Sequence, residues 1–381
     1  MQQTPLWRSG SCLPAVGLVV LLVLLGVRAQ APASVNEDFT QPLPGLTSDQ
    51  LTTFLASKAQ FEHEFTNKEG VGPLFNARAC VSCHHEPSVG GTGPRYRSNF
   101  NFGLQSGGGF DPLPGAGGPL LRQQALGGVM RQAVPAQANV FSLRRVATLF
   151  GLGLVEAIPD QLILANADPN DVNKDGIKGQ AVLNGNGRVQ RFGSQAHVAS
   201  VRAFVLKAFD QELGITQAEA QPQTLDQVRS FLLLLAPLPR GTIDTKVMQG
   251  EAVFNQLGCA SCHVSSFVTA ALPFTTADGE VVNVAALQNQ TLHPYSDFLV
   301  HDLGPELDDG VTLGGAKSSQ YRTAPLWGLR FRSNTLLHDG RGGNLDQALL
   351  FHGGEAKEAR KAYLALSPPD RELLEAFLKS L

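Results

Sequence analysis

Two short segments of the chain carry cysteine and histidine at the same spacing. They read CVSCH at residues 80–84 and CASCH at residues 259–263. In a helical turn, positions i, i+3 and i+4 share one face. Two thiols can therefore bond to the vinyl groups of a haem while the histidine ligates its iron, a pattern typical of covalent c-type haem attachment. The residues predicted to hold haem 1 and haem 2, respectively, are Cys80, Cys83 and His84, and Cys259, Cys262 and His263.

Two other interpretations of these cysteines remain open. Two C-x-x-C pairs could hold one zinc in a Cys₄ site, but that would leave both following histidines unexplained. Each pair could instead form a disulfide, as in redox motifs. His85, next to the first motif, points off the haem-facing side and is predicted to lie at the surface or beside a propionate.

The N-terminal segment is predicted to be an export signal. Arg8 precedes an apolar run at residues 12–27, which is followed by a small-x-small pattern at residues 27–29. As a helix this run would reach about 24 Å, short of a hydrocarbon core of about 30 Å. We expect cleavage after residue 29 and a periplasmic or otherwise extracytoplasmic protein without a membrane span. An uncleaved N-terminal anchor is the alternative.

The charge of the chain gives no support to nucleic-acid binding. The formal charge is −3. Removal of residues 1–29 takes away two arginines and no acidic residue, which makes it −5. No block of lysine and arginine is present in the remainder, as a nucleic-acid footprint would require.

The sequence around the two motifs also repeats. The block RVATLFGL at residues 145–152 resembles RTAPLWGL at residues 322–329. Each half then ends in an amphipathic helix, predicted to open at a capping box beginning with Thr224 and at Ser367, which two prolines follow. We therefore predict a mainly α protein made of two tandem cytochrome c-like domains with long loops.

The predicted domains span residues 30–236, with haem 1, and residues 242–381, with haem 2. They are separated by a proline- and glycine-containing linker at 237–241. Ten glycines fall within residues 90–118, and we expect no regular structure there.

The occupant of the second axial position decides whether a haem transfers electrons or does chemistry. After its repeat block the second half offers His352, which we predict to be the distal ligand of haem 2, with His338 and His301 as alternatives. Met130 and Met248 are rival ligands by element type but are more typical of core positions. The equivalent stretch of the first half has no histidine or methionine through residue 175. Haem 1 is therefore expected to be open and haem 2 capped on both sides.

Peroxide cleavage at an open iron needs a group that moves a proton between the two oxygens. Glu156 is the acid close behind the first repeat block, in an otherwise apolar segment, and His197 is the other polar candidate. We predict these two as catalytic residues. Arg145 and Arg322 are predicted to bind haem propionates, because arginine grips carboxylates bidentately.

A calcium site is also predicted from spacing. The ligands would be the side chains of Asp171, Asn173 and Asp175 and the backbone carbonyl of Ile177, which match the first half of a calcium loop. Position 12 of such a loop is Val182, so the bidentate glutamate is missing. The alternative is a turn rich in Asp and Asn.

The chain resembles the bacterial di-haem oxidoreductases described as peroxidases or thiol oxidoreductases. More distantly it is similar to the bacterial cytochrome c peroxidases and to the tryptophan-modifying enzyme MauG. The segments that carry the resemblance are residues 72–77, 150–159, 191–193, 295–297, 301–304, 322–329, 338–341 and 352–356.

The resemblance implies two haems, a calcium between the halves and reaction with hydrogen peroxide. It also places His352 where the peroxidases have methionine and MauG has tyrosine, which implies a bis-histidine haem 2 of lower potential. The implied enzyme would take electrons from an external donor, or oxidise a protein or small molecule as MauG does. A non-enzymatic electron-transfer cytochrome is the alternative, and a haem dioxygenase acting on a polymer or lipid is a third reading that rests on fold analogy.

The motifs predict that the mature chain carries two covalent haems, because two attachment sites use all four thiols that remain after signal cleavage. Haem staining after denaturing electrophoresis, together with the intact mass, checks this. A single haem per chain, or bound zinc, would contradict it.

Overall fold

The computed structural model describes residues 38–332 and 334–381, so the export signal predicted at residues 1–29 lies outside the described residues. The α-helices are α1 Ser48–Glu62, α2 Leu152–Glu156, α3 Asp160–Leu164, α4 Val201–Ala208, α5 Pro222–Leu234, α6 Thr245–Gln256, α7 Leu345–Leu350, α8 Lys357–Leu364 and α9 Pro368–Ser380. The strands are β1 Leu74–Phe75, β2 Asn99–Ser106, β3 Gly109–Asp111, β4 Gln124–Ala125, β5 Val140–Arg144, β6 Val182–Leu183, β7 Val189–Gln190, β8 Phe267–Val268, β9 Phe274–Thr275, β10 Val281–Val282, β11 Thr291–Leu292, β12 Val300–Asp302 and β13 Gln320–Arg322. Within the described ranges, no helix has both the length and the apolar character needed to cross a membrane.

The prediction of a mainly α protein is wrong. Helix accounts for 33% of the structure and strand for 14%, and cytochrome c-like domains are not confirmed. Most strands form two-stranded antiparallel pairs of two or three residues. Long loops that run through a protein must still pair their backbone amides and carbonyls, and these short ladders do so. Ladders of this length leave no alternating pattern in the sequence.

The expectation of no regular structure at residues 90–118 is wrong, because two strands of the largest sheet, β2 and β3, lie there. Strands β2, β3 and β5 form this sheet, in the order β3-β2-β5. On β5, Ser142 and Arg144 are buried, whereas Phe141 and Leu143 are exposed. Both buried side chains bind Asp309, from Ser142 Oγ at 2.5 Å and Arg144 Nε at 2.7 Å. Strand β5 thereby ties the first half of the chain to the second, and Arg145 follows directly after it.

Each haem motif packs against the helix that precedes it. The ring of Phe61 on α1 lies 6.2 Å from the ring of His84, and the ring of Phe254 on α6 lies 6.1 Å from that of His263. Helix α1 packs on α5, and α6 packs on α9. A Cβ atom at Gly250 would lie 2.0 Å from the carbonyl oxygen of Leu373, so α6 and α9 approach closely only because this residue is glycine.

Of the two helices predicted to end the halves of the chain, α9 begins where it was predicted and α5 begins earlier. Helix α9 is capped as predicted, since Ser367 Oγ accepts the amide of Asp370 at 3.4 Å. Helix α5 begins at Pro222, two residues before the predicted cap Thr224. The fixed φ of proline suits the first helical position and moves the start upstream.

The described residues Asp38–Leu381 form one compact unit with two main hydrophobic clusters. The first cluster also includes side chains from Phe267 to Leu299, and the second contains α6 and α9. The domain boundary at residues 237–241 stays a prediction.

Candidate functional site

The two Cys-x-x-Cys-His segments have the same backbone conformation. Each starts as one turn of 3-10 helix, Cys80–Ser82 and Cys259–Ser261. The amide of the following histidine donates to the carbonyl of the first cysteine, at 3.1 Å for His84 and 2.9 Å for His263. The cysteines and histidines of both segments line one cavity of about 850 Å³ (the shared cavity). This volume is at the upper end of the range of about 300–1,000 Å³ for small-molecule and cofactor sites.

The four thiols in the described residues form no disulfide. Nor do three or more Cys, His, Asp or Glu side chains in residues 38–332 and 334–381 come together as a metal cluster. Burial, the main cause in both cases, raises the pKa of Cys80 to about 12 and the pKa of Cys83 to about 11. These thiols are therefore not poised as free thiolates for zinc or for disulfide exchange.

The orientation of both motif histidines is fixed by a backbone carbonyl. His84 Nδ1 donates to Gly91 O at 2.9 Å, and His263 Nδ1 donates to Tyr295 O at 2.8 Å. A proton held at Nδ1 leaves Nε2 with its lone pair, as an axial iron ligand requires. Burial lowers the pKa of both imidazoles to about 4, so they are neutral at pH 7.

His352 presents a third imidazole of the same kind. It follows α7, its Nδ1 donates to Ala348 O at 2.7 Å, and it lines the shared cavity. Burial is the main cause of the low pKa of His263, and the charge of His352 lowers it further. His352 therefore has the tautomer that an axial ligand needs and lies in the lining of the cavity that also contains His263.

His301 cannot serve as that ligand in this conformation. Its Nε2 donates to Asp297 Oδ2 at 2.8 Å and its Nδ1 to Glu355 Oε2 at 2.7 Å. Neither ring nitrogen is left to bind a metal. His338 lines the shared cavity, but its ring stacks on Tyr321 at 4.0 Å between centroids, beside Asp309.

His197 also lines the shared cavity, and no hydrogen-bond partner for its Nδ1 occurs in the described residues. Burial lowers its pKa to about 3, and the charges of Lys207, Arg144 and Arg322 act in the same direction. His197 is thus a neutral base next to a group of cations.

The predicted propionate ligands line the shared cavity. Arg145 donates to Thr335 and to Gly93 O, and Arg322 donates to Gly193 O at 3.0 Å. In the described part of the chain, neither guanidinium has a carboxylate within 4.0 Å. Sequence reasoning missed Arg332, which lines the cavity as well. Burial, and after it the charge of Arg145, lowers its pKa to about 10.

These observations fit a haem pair. Buried arginines without a carboxylate partner are costly, and propionates would supply the missing anions. The paired thiols, the three free imidazole Nε2 atoms and the apolar lining supply the rest of what a c-type haem needs.

Glu156 lies away from the lining of the shared cavity. It is buried on α2, and its Oε1 accepts the amide of Val201 at 2.9 Å, at the start of α4. Burial raises its pKa to about 7. The contact shown is structural, since it anchors the N-terminus of α4, and the catalytic role of Glu156 stays a prediction.

The predicted calcium loop is closed by its own hydrogen bonds. The side chains of Asp171, Asn173 and Asp175 each accept a backbone amide, from Gly176, Asp175 and Ile177 respectively. Such bonds form a turn rich in Asp and Asn whether or not a cation is bound. Calcium at this loop therefore stays a prediction.

The repeat in the sequence gives the two halves different residues at one position of the cavity. The blocks at residues 145–152 and 322–329 are 177 positions apart, so His352 corresponds to Asp175 in the first half. Both residues line the shared cavity. The first half therefore has no imidazole at the position where the second half has His352.

Comparison with known proteins gives a family and one distant structure. The profile of the family described as "Di-haem oxidoreductase, putative peroxidase" matches residues 127–226 and 217–381. A search of curated proteins gives no match. A solved structure from Kuenenia stuttgartiensis, described as hydrazine synthase pressurized with 20 bar xenon, shares 13% identity over 98% of this chain and 100% of that chain. Its TM-score is 0.44, which is too low to bear on function.

The family match extends over more than half of the sequence and includes the second Cys-x-x-Cys-His segment, the cavity arginines and His352. The chain belongs to the di-haem oxidoreductase family.

Proposed function

We propose that this chain is an exported c-type di-haem oxidoreductase that reduces hydrogen peroxide at haem 1 with electrons received through haem 2. One observation carries the asymmetry. The shared cavity contains two equivalent attachment turns, but the position that holds His352 in the second half holds Asp175 in the first, in the register of the repeat blocks. An imidazole can close the second axial position of haem 2, and the first half has no imidazole there, which leaves haem 1 open to a small oxidant.

The chain's residues have distinct tasks in this proposal. The four thiols attach the two haems, His84 and His263 are the proximal ligands, and His352 is the distal ligand of haem 2. The arginines without carboxylate partners hold the propionates. When bound, an open haem supplies peroxide activation and a six-coordinate haem supplies electron storage and relay. Reduction of one peroxide to two waters takes up two electrons and two protons.

The proton transfer is assigned to His197. Its ring is neutral at pH 7, lines the cavity and has an Nδ1 without a hydrogen-bond partner in the described residues. A neutral imidazole can take a proton from peroxide and return it to the departing oxygen. Glu156, by contrast, uses one oxygen to anchor α4.

The external partner is an electron donor, or a protein or small molecule oxidised in its place. A pure electron carrier would need a second axial ligand on haem 1 as well. The absence of an imidazole at Asp175, the repeat counterpart of His352, disfavours that alternative.

Replacing the distal ligand tests the assignment of haem 2. His352→Ala should convert one low-spin ferric haem to high-spin while the signal of haem 1 is unchanged, because only haem 2 loses an axial nitrogen. EPR of the oxidised protein measures this. An unaltered low-spin signal would transfer the assignment to another residue, with His338 next.

The reciprocal change tests the open position of haem 1. Ala208→His should create a second low-spin haem and abolish the fast reaction with peroxide, because it adds an imidazole to the cavity lining on helix α4 of the first half, where it can supply haem 1 with a second axial nitrogen. Ala203→His, on the same helix but outside the cavity lining, is the matched control and should leave both properties unchanged. Peroxide reactivity that survives a fully low-spin Ala208→His spectrum would contradict the proposal.

A pair of isosteric changes tests the proton carrier. His197→Gln should lower peroxide turnover by about 10²–10⁴, the usual worth of such proton transfer. Glu156→Gln should lower it much less, because it keeps the shape and leaves the cavity intact. Steady-state peroxide assays with matched haem content measure both, and the reverse order would restore Glu156 as the catalytic acid.

A further inference from the structure

Three buried side chains form a chain of hydrogen bonds beside the haem 2 motif. His301 donates from Nε2 to Asp297 Oδ2 at 2.8 Å and from Nδ1 to Glu355 Oε2 at 2.7 Å. The side chains are 3%, 0% and 10% exposed for His301, Asp297 and Glu355. Because both ring nitrogens face carboxylates, both must donate, and the ring is an imidazolium. These three residues are called the clamp.

One end of the clamp is fixed to the attachment turn of haem 2. The amide of Asp297 donates to the carbonyl of Cys262 at 2.9 Å. The Nδ1 atom of His301 lies 3.6 Å from Cys262 Sγ. The clamp is therefore in direct contact with the segment that carries the proximal histidine.

The other end of the clamp is fixed to the segment of the distal histidine. Glu355 stands three residues after His352, and its Oε1 accepts the amide of Asp302 on β12 at 3.0 Å. Its Oε2 also accepts the amides of Lys178 at 2.9 Å and Gly179 at 3.3 Å. Four donors thus hold this one carboxylate.

The segment between His352 and Glu355 has no side chain of its own to hold it. It consists of Gly353 and Gly354, and a Cβ at Gly354 would lie 2.1 Å from Asp302 O. The two glycines allow the segment to lie flat against β12 but do not anchor it. The anchor for the region after His352 is the carboxylate of Glu355.

We propose that the clamp positions His352 for ligation, by joining the attachment turn of haem 2 to the distal segment. The inference rests on the proposed function, because it takes His352 as the distal ligand of haem 2. The carboxylate of Glu355 fixes the position of the segment that follows His352. His301 connects that carboxylate to Asp297, whose amide donates to Cys262 O. His301 and Glu355 are positioning residues, since both ring nitrogens of His301 donate to carboxylates and four donors already hold the carboxylate of Glu355.

The clamp is tested on the haem-loaded protein with three variants. Glu355→Gln keeps the shape but removes the charge that holds His301. Glu355→Asp keeps the charge, but its side chain is one methylene shorter, so the carboxylate lies farther from His301. Glu372→Gln is the matched control, because it is the same change at a carboxylate on α9 that is 71% exposed. His352→Ala gives the spectrum of complete ligand loss.

The readout is the fraction of haem 2 that is low-spin by EPR, with melting temperature and haem content measured beside it. Loss of a buried charged hydrogen bond corresponds to a shift of about tenfold or more in an equilibrium. We expect Glu355→Gln and Glu355→Asp to lower the ratio of ligated to unligated haem 2 by about that factor, and Glu372→Gln to match the wild type.

Two results would overturn the inference, and they are distinguishable. If His352→Ala loses the low-spin signal but both Glu355 variants keep all of it, with only a lower melting temperature, the clamp is merely structural and the ligand assignment stands. If His352→Ala also keeps the signal, the assignment of His352 fails and the clamp fails with it.

Discussion

The hydrogen bond from each motif histidine to a backbone carbonyl governs what the shared cavity can hold. His84 donates to Gly91 and His263 to Tyr295, so each ring keeps its Nε2 lone pair in a dry interior. A ring left free to rotate would offer either nitrogen, and a solvated ring would be protonated more readily. A phenylalanine from the preceding helix packs against each ring: Phe61 of α1 against His84, and Phe254 of α6 against His263. Both motifs therefore follow a helix that supports the histidine ring.

The two attachment turns are alike, but a few other side chains of the cavity differ between the two halves of the chain. In the register of the repeat blocks, His352 of the second half corresponds to Asp175 of the first. The family assignment makes the chain a di-haem oxidoreductase, and this difference supports a division of labour between the two haems. The Arg144–Asp309 pair holds the halves together beside the cavity, where a bidentate, nearly solvent-free contact is costly to break on one side.

The sequence predicted local chemistry better than it predicted the fold. Spacing alone located both Cys-x-x-Cys-His segments, and proline with serine located the start of α9 at Ser367. Strand β5 was not predicted, because its polar residues Ser142 and Arg144 are buried and its apolar residues Phe141 and Leu143 are exposed. This is the reverse of the usual alternation. Ser142 and Arg144 are buried because both donate to Asp309, which is far from β5 in the sequence.

The same limit applies to the residues around the cavity. Glu156 was close in sequence to the first repeat block, but a helix turn carries it to the start of α4 instead of the cavity lining. Arg332 has no local signal beyond its place after the second block, and the charge that helps to lower its pKa comes from Arg145 in the other half. Groups that act together here are brought together by long-range packing, which spacing does not report.

The most direct measurement is the quantitative EPR spectrum of the fully oxidised wild-type protein with both haems bound. One open and one bis-histidine haem predict one high-spin and one low-spin ferric signal of equal intensity. Two low-spin haems that do not react with peroxide would contradict the division of labour and make the chain an electron carrier.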